Sequence, residues 1–201
     1  MNVDDPRVRF YLKHREQFAE WFELRTDAAT AIDNWLIQLR PDVDLLHSDL
    51  GADVYSHFET ADEHGWPGMY LLRTWWPKPS PGSPMIGLQW TRRKTLMLSS
   101  SAPWLGVRAD RRQSAGRAIH ASSGFQEERR TRKDSSTQWW QSLRYVVADA
   151  DFPESALQFK TSLLDELKRT WLSYSPHVDA ALAAGEPHDR EEPDALGSEP
   201  R

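Results

Sequence analysis

Hydrophobic residues recur at helical spacing in the first forty positions. Asp5-Pro6 is typical of a helix start, because Asp caps free backbone N–H groups and Pro is tolerated in the first turn. We expect Pro41 to end the helical pattern. The spacing predicts helical structure over 6–40, as one long helix or as two broken near Thr26-Asp27. The clearest stripe falls at i, i+3, i+4, i+7, i+8 and i+11 and comprises Ala28, Ala31, Ile32, Trp35, Leu36 and Leu39.

The middle of the chain changes to a period of two. Ile86, Leu88 and Trp90 alternate with polar or small residues, which is typical of a half-buried strand. Short connections between neighbouring candidates predict an antiparallel sheet within 52–148. We expect a short helix over 111–121 and a mobile loop over the polar stretch 122–138. Further strand candidates are 54–58, 69–76, 95–99, 105–109 and 143–147.

The last strongly periodic segment is predicted to be a helix over 153–174. Its apolar face consists of Ala156, Phe159, Leu163, Leu167 and Trp171. Pro153 is expected to open this helix and Pro176 to close it. The stretch 185–201 is acidic and nearly free of apolar residues, so it is expected to be a disordered tail. The order of elements predicts an α+β fold in one domain, 1–184: N-terminal helices, an antiparallel sheet of about five or six strands, and the long C-terminal helix packed on that sheet.

Composition narrows the class of protein. The chain has no Cys, which excludes disulfides and thiolate chemistry and favours a reducing compartment. Ten Trp residues supply large apolar side chains to a core in a chain that is 39% hydrophobic. The first ten residues are charged from Asp4 onward, unlike a secretion signal, and no apolar run approaches the roughly 18 residues of a membrane span. These features predict a cytoplasmic protein with no membrane partner.

Positive charge is concentrated between Thr91 and Asp134. Eleven Lys/Arg stand there against four Asp/Glu, in a chain whose net charge is −5. Such a segment attracts phosphate groups, nucleic acid or an acidic protein partner, although a solvated surface remains an alternative. The acidic tail is a further candidate partner for it. We define the basic segment by Arg92, Arg93, Lys94, Arg108, Arg111, Arg112, Arg117, Arg129, Arg130, Arg132 and Lys133, the candidate nucleic-acid-binding residues.

Tryptophans occur as two adjacent pairs, Trp75-Trp76 and Trp139-Trp140. Neighbours in a strand point to opposite faces, so one of Trp75 and Trp76 faces the core and the other faces solvent or a helix. We expect two packed layers to bury both of them. The alternative is that one member is exposed beside the basic segment, which is the combination that grips single-stranded nucleic acid.

Titratable groups cluster between His57 and His64, where Glu59, Asp62 and Glu63 also lie. This cluster has no recognised metal-ligand spacing, and a polar turn is the expected structure. A PD-(D/E)xK nuclease site is not formed, because the strand 86–90 holds no carboxylate. Glycine-rich phosphate loops and a serine-hydrolase elbow are also absent from the sequence. No catalytic residue, metal or cofactor is therefore expected.

The second half of the chain resembles a small uncharacterised bacterial accessory domain, found alone or fused to PD-(D/E)xK nuclease-like proteins of genome defence and mobile elements. The similar patterns are Ile86-Gly-Leu-Gln-Trp90, Leu143-Arg-Tyr-Val-Val147 and Thr170-Trp-Leu-Ser-Tyr-Ser-Pro176, within 52–184. The resemblance implies an accessory or regulatory role, carries over no functional residues, and does not extend to the N-terminal helices.

Three hypotheses of function follow. The leading one is a non-enzymatic intracellular binding or regulatory protein that contacts nucleic acid or another polyanion through the basic segment. A second is an enzyme acting on a phosphorylated substrate, or a degenerate nuclease, with His57, Glu59 and His64 near the basic residues. A third is a subunit of a larger assembly held by Trp-rich surface and the N-terminal helices. The oligomeric state is left open.

Overall fold

Three helices precede the sheet in this computed structural model, which describes residues 5–60, 66–92, 94–95, 102–147 and 154–185. Helix α1 spans Pro6–Lys13, α2 Arg15–Ile37 and α3 Arg40–Leu50. The predicted start is confirmed, because the Asp5 carboxylate accepts a hydrogen bond from the Arg7 backbone N–H at 2.9 Å. The N-terminal helical segment is interrupted at His14 and after Ile37, so α2 continues through Thr26-Asp27. Pro41 therefore does not end a helix; it lies in the first turn of α3, where its missing N–H costs nothing.

Five strands form one antiparallel sheet in the order β1-β2-β3-β4-β5. They span Val54–Glu59, Gly68–Arg73, Met85–Gln89, Trp104–Arg108 and Trp140–Tyr145. Each strand therefore pairs with the next one in sequence, as the short connections predicted. Together with the N-terminal helices and the long C-terminal helix on the sheet, this confirms the α+β fold class. The strand candidate 95–99, apart from Thr95, and the tail beyond residue 185 lie outside the described residues.

Two short helices stand between β4 and β5. Helix α4 spans Ser114–Ala121, within the predicted 111–121, and α5 spans Ser123–Arg132. The expectation of a mobile loop over 122–138 is therefore wrong. Ser122 starts α5 by accepting a hydrogen bond from the Phe125 backbone N–H at 3.3 Å. Phe125 is completely buried against Tyr174, with ring centroids 5.0 Å apart, so a single apolar anchor fixes this polar helix.

Helix α6 spans Ala156–Gly185 and packs across β3 and β4. Its predicted face is confirmed for Phe159, Leu163, Leu167 and Trp171, all of which are buried. The helix does not close at Pro176 but continues through it, because its apolar face continues as well. The buried side chains beyond Trp171 are Tyr174, Val178 and Ala181. None of the described helices combines the length and apolar character that a membrane span requires.

The two faces of the sheet differ in what covers them. One face carries Arg73, whose guanidinium lies 5.5 Å from the ring centroid of Trp171 on α6. Since side chains alternate along a strand, Leu71, Ile86 and Val107 share this helix-covered face. The opposite face is not covered by any of the described helices, and it holds a cavity of about 1050 Å³.

Candidate functional site

An aromatic cleft of about 1050 Å³ occupies the face of the sheet that lacks helices. The strand register aligns Glu59, Gly68, Gln89, Trp104 and Tyr145 in one row across all five strands. Loops add further lining residues at both ends of this row. The aromatic lining residues are Phe58, Trp66, Trp104, Trp139, Trp140 and Tyr145. Trp66, Trp139 and Tyr145 are 43%, 42% and 58% exposed, so ring surface is accessible to a ligand.

The Tyr70 ring lies over Gly68 and Gly87 on the cleft side of the sheet. Gly87 on β3 pairs with Gly106 on β4 in the middle of the sheet. A Cβ atom on Gly87 would lie 2.2 Å from the Met69 carbonyl oxygen, and one on Gly106 would lie 1.9 Å from the Ser142 carbonyl oxygen. These backbone contacts exclude any larger residue, and the missing side chain at Gly87 leaves room for the buried Tyr70 ring.

A charged network spans the floor from β4 to β1. Arg108 donates to the Glu59 carboxylate at 2.5 Å and to the Tyr70 hydroxyl at 3.1 Å. Its guanidinium also lies 5.6 Å from the centroid of the Tyr70 ring. Burial raises the pKa of Tyr70, and Glu59 adds to the increase, so the phenol keeps its proton. The arrangement fixes Arg108 and Glu59 against each other and leaves the cleft floor close to neutral.

One wall of the cleft is built by the segment that leads into β5. Ala109 and Arg111 donate backbone hydrogen bonds to the carbonyls of Trp139 and Gln138, at 2.9 and 3.1 Å. The guanidinium of Arg112 lies 4.7 Å from the centroid of the exposed Trp139 ring. Asp110 holds that guanidinium at 2.9 Å, and this pairing lowers the pKa of Asp110. The wall therefore presents an aromatic ring with a fixed cation on it.

A cluster of cationic side chains lies beside this wall. The Arg111 Nε donates to Gln141 at 3.3 Å, and Arg129 donates to Ser136 at 2.6 Å. Nη2, one of the two terminal nitrogens of the Arg111 guanidinium, is buried and has no hydrogen-bond partner among the described residues. Burial lowers the pKa of His120, and the nearby charges of Arg111 and Arg129 lower it further. These three side chains form a site of unbalanced positive charge, which we call the Arg111 cluster.

The basic segment does not form one continuous surface. Arg132 is only 13% exposed and donates to Glu166 at 2.5 Å, so it is part of the packing between α5 and α6. Arg130 pairs with Glu127 on its own helix, and Arg92 lies 4.0 Å from the Asp33 carboxylate. Arg117 donates to the carbonyl oxygen of Arg112 at 2.5 Å. Lys94 is exposed near the end of β3, Lys133 is exposed after α5, and Arg93 lies outside the described residues.

The structure divides the titratable cluster at 57–64. His57 and Glu59 line the cleft together with Arg108, so this part of the cluster and the basic segment share one cavity. Asp62, Glu63 and His64 lie outside the described residues. Within the described ranges, no group of three His, Asp or Glu side chains is arranged to hold a metal ion.

The tryptophan pairs are each divided between core and surface. Trp76 is 4% exposed while Trp75 is 51% exposed, and Trp140 is 7% exposed while Trp139 is 42% exposed. The expectation that Trp75 and Trp76 are both buried is therefore wrong. Trp76 packs on Trp171 of α6, with ring centroids 5.4 Å apart, while Trp75 stays at the surface. For Trp139, the exposed ring lies in the cleft beside the basic residues.

Comparison with known proteins finds no matching family model, no similar curated protein and no similar solved structure. The resemblance to a bacterial accessory domain therefore stays a prediction.

Proposed function

We propose that this chain is a non-enzymatic binding protein that recognises single-stranded nucleic acid, with bases in the aromatic cleft and phosphates along the basic wall. The observation that carries the proposal is the exposed Trp139 ring inside the cleft, with the Arg112 guanidinium 4.7 Å from its centroid. Ring faces bind any base by stacking, and adjacent cations bind the backbone. The accessory role in genome defence that the resemblance implies is compatible with such an activity.

The arrangement of rings favours unpaired bases over a duplex. Trp66, Trp104 and Trp139 line a recess in the sheet face. Bases in a duplex are already stacked on each other and present only their edges, whereas unpaired bases can turn their faces toward such rings. The cleft volume of about 1050 Å³ also reaches the upper limit of small-molecule sites, which leaves room for more than one base.

The charges around the cleft match the path of a backbone. The floor is close to neutral because Arg108 and Glu59 pair there. The unbalanced charges lie outside, at the Arg111 cluster, next to the wall formed by residues 136–140. A strand whose bases enter the cleft would carry its phosphates past this wall.

A direct test measures binding of labelled oligonucleotides by fluorescence anisotropy. Single-stranded DNA and RNA should bind more tightly than the matching duplexes, and affinity should fall with salt because bound phosphates release counterions. Trp139→Ala should weaken binding about tenfold, since a base–aromatic stack contributes roughly 1–3 kcal/mol. Trp75→Ala is the matched control, because Trp75 is similarly exposed but lines a different cavity.

The test contradicts the proposal if no single-stranded oligonucleotide binds, or if Trp75→Ala weakens binding as much as Trp139→Ala. The contribution of charge is tested by Arg111→Glu with Arg129→Glu, which should weaken binding and flatten its salt dependence. Arg132 is unsuitable for reversal, because its pairing with Glu166 supports the contact between α5 and α6.

One observation favours an enzyme as the second candidate. His57, Glu59 and Arg108 line the same cleft, so an acid–base pair and a phosphate-binding cation are within one cavity. The pairing of Glu59 with Arg108 and Tyr70 argues for a structural role of that carboxylate. Incubation with oligonucleotides and phosphomonoesters distinguishes the two candidates. Turnover that is lost in His57→Gln while oligonucleotide binding persists would establish the enzyme.

A further inference from the structure

The N-terminal helices carry an unpartnered aromatic stripe. Tyr11, Trp21 and Phe22 share one helical side with Phe18, because they lie seven, three and four residues from it. Phe10 joins them through its ring, whose centroid is 6.1 Å from that of Phe18. Their rings contact one another, with Tyr11 stacked on Phe18 at 5.4 Å and Phe18 edge-on to Trp21 at 5.5 Å. Four of the five are between 52% and 62% exposed. We call residues 5–28 the arm.

The same helical face is buried where α2 reaches the rest of the molecule. Ala29 and Leu36 are buried, and Ile32 packs against the core. Ile32 lies two heptads after Phe18, on the continuation of the stripe. The stripe therefore continues into an apolar helical face that packs on the core at the C-terminal end of α2. Along the arm, none of the described residues covers the stripe.

Charge on the arm is divided into two halves of opposite sign. Residues 5–15 carry four Lys/Arg and one Asp, whereas residues 16–27 carry four Asp/Glu and one Arg. The halves thus have net charges of +3 and −3. Two arms that run antiparallel place the positive half of one copy on the negative half of the other. Two parallel arms would place like charges together.

We propose that the arm pairs with the arm of a second copy of this chain, antiparallel and with two-fold symmetry. An axis at Glu16 places Tyr11 opposite Trp21 and Phe10 opposite Phe22 of the other copy, by the spacing along the helix. It also keeps the two sheets at opposite ends of the paired arms. Arms that joined in parallel would bring both sheets to the same end.

The available surface is sufficient for such a dimer. An aromatic side chain buries about 150–250 Å² when it is fully packed. The half-exposed rings of Phe10, Tyr11, Trp21 and Phe22 therefore offer roughly 500 Å² per copy, on the same basis. The aliphatic stems of flanking residues bring two copies near the ~1,200 Å² at which specific interfaces begin. Pairing along about 34 Å of helix, at 1.5 Å per residue, provides that contact.

Analytical ultracentrifugation of the full chain tests the pairing. The chain has a mass of 23.2 kDa, and we expect a species of twice that mass whose population rises with concentration. Trp21→Glu with Phe22→Glu should raise the dissociation constant about 100-fold or more, because buried aromatic residues dominate interfaces. Leu12→Gln is the matched control, since Leu12 is 44% exposed on α1 but is not three, four or seven residues from any ring of the stripe. It should leave the dimer intact.

Charge reversal tests the orientation. Lys13→Glu with Arg9→Glu should weaken the dimer, and so should Glu20→Lys with Glu23→Lys, whereas all four changes in one chain should restore it. A parallel pair would show no such loss and recovery, because like charges face each other in the wild type and in every variant. A wild-type chain that stays monomeric, or a dimer that survives the change at Trp21, overturns the proposal. A monomer that instead binds vesicles of anionic lipid through the arm would assign the stripe to a membrane surface.

Discussion

The pair Glu59–Arg108 offers the sharpest test of how the cleft floor is held together. The two side chains are 24% and 13% exposed, and their charged atoms are 2.5 Å apart. Removing one partner of a buried pair costs about 3–5 kcal/mol, because the other charge is left without compensation. Solvent reaches Glu59 in part, so we expect Glu59→Leu to lower the free energy of unfolding by about 2–3 kcal/mol.

Removing both charges should lower the free energy of unfolding by less than the sum of the two single losses. Replacement of a buried ion pair by apolar residues of similar size is often close to neutral. We therefore expect Glu59→Leu with Arg108→Met to cost about 1 kcal/mol, well below the sum of the two single changes. The loss of the hydrogen bond to Tyr70 accounts for the remaining cost.

Urea denaturation of the four proteins measures this coupling. The dependence of the unfolding free energy on urea concentration should be the same for all of them, since it reflects the surface exposed on unfolding. The reasoning is refuted if the losses of unfolding free energy in the two single variants sum to the loss in the double variant within about 0.5 kcal/mol. In that case solvent, and not Arg108, would balance the Glu59 carboxylate.

Two further predictions concern packing and pH. Leu163→Asp should lower the free energy of unfolding by several kcal/mol, because it buries an unpaired charge between α6 and the sheet. Leu157→Asp, at an exposed position of the same helix, should lower it little. Equal effects of the two variants in urea denaturation would mean that α6 is not docked. Binding of a polyanion beside Arg111 and Arg129 should raise the pKa of His120, which burial and those two cations depress, so the bound state takes up a proton. Oligonucleotide affinity should then rise as pH falls from neutral toward about 6. A His120→Gln variant with the same pH dependence as the wild type would show that His120 is not at the binding site.

Elements with strong periodicity were predictable from the sequence. The stripe through Phe159, Leu163 and Leu167 identified α6, because burial on one face imposes its period. The alternation around Ile86 identified β3, but the expected half-buried strand is wrong, since all five of its residues are buried. The extension past Pro176 was missed, since a proline removes only one hydrogen bond and here lies on the exposed side, where further buried residues outweigh the loss. Helix α5 was missed because Phe125 is its one buried residue.

The candidate site was only partly predictable. The sequence offered an exposed aromatic beside basic residues as an alternative, argued from Trp75 and Trp76, but it did not point to Trp66, Trp104 or Tyr145. These residues come from separate segments, and only the pairing register across the sheet brings them into one row. The useful signal in the sequence was Gly87 and Gly106, since a glycine within a strand marks a close backbone approach. The division of the basic segment into paired and unpaired cations depends on partners far away in sequence, such as Glu166 for Arg132.

The segment that precedes β5 also determines how the sheet ends. Ser135 exchanges two backbone hydrogen bonds with Leu143, at 2.9 and 2.8 Å, and Thr137 donates to the Trp140 carbonyl at 2.8 Å. These bonds occupy the outer side of β5, which would otherwise be an open edge able to pair with another extended chain. The sheet is thereby closed to strand addition on this side. Among the described residues, edge-to-edge aggregation could proceed only along β1, a strand of six residues.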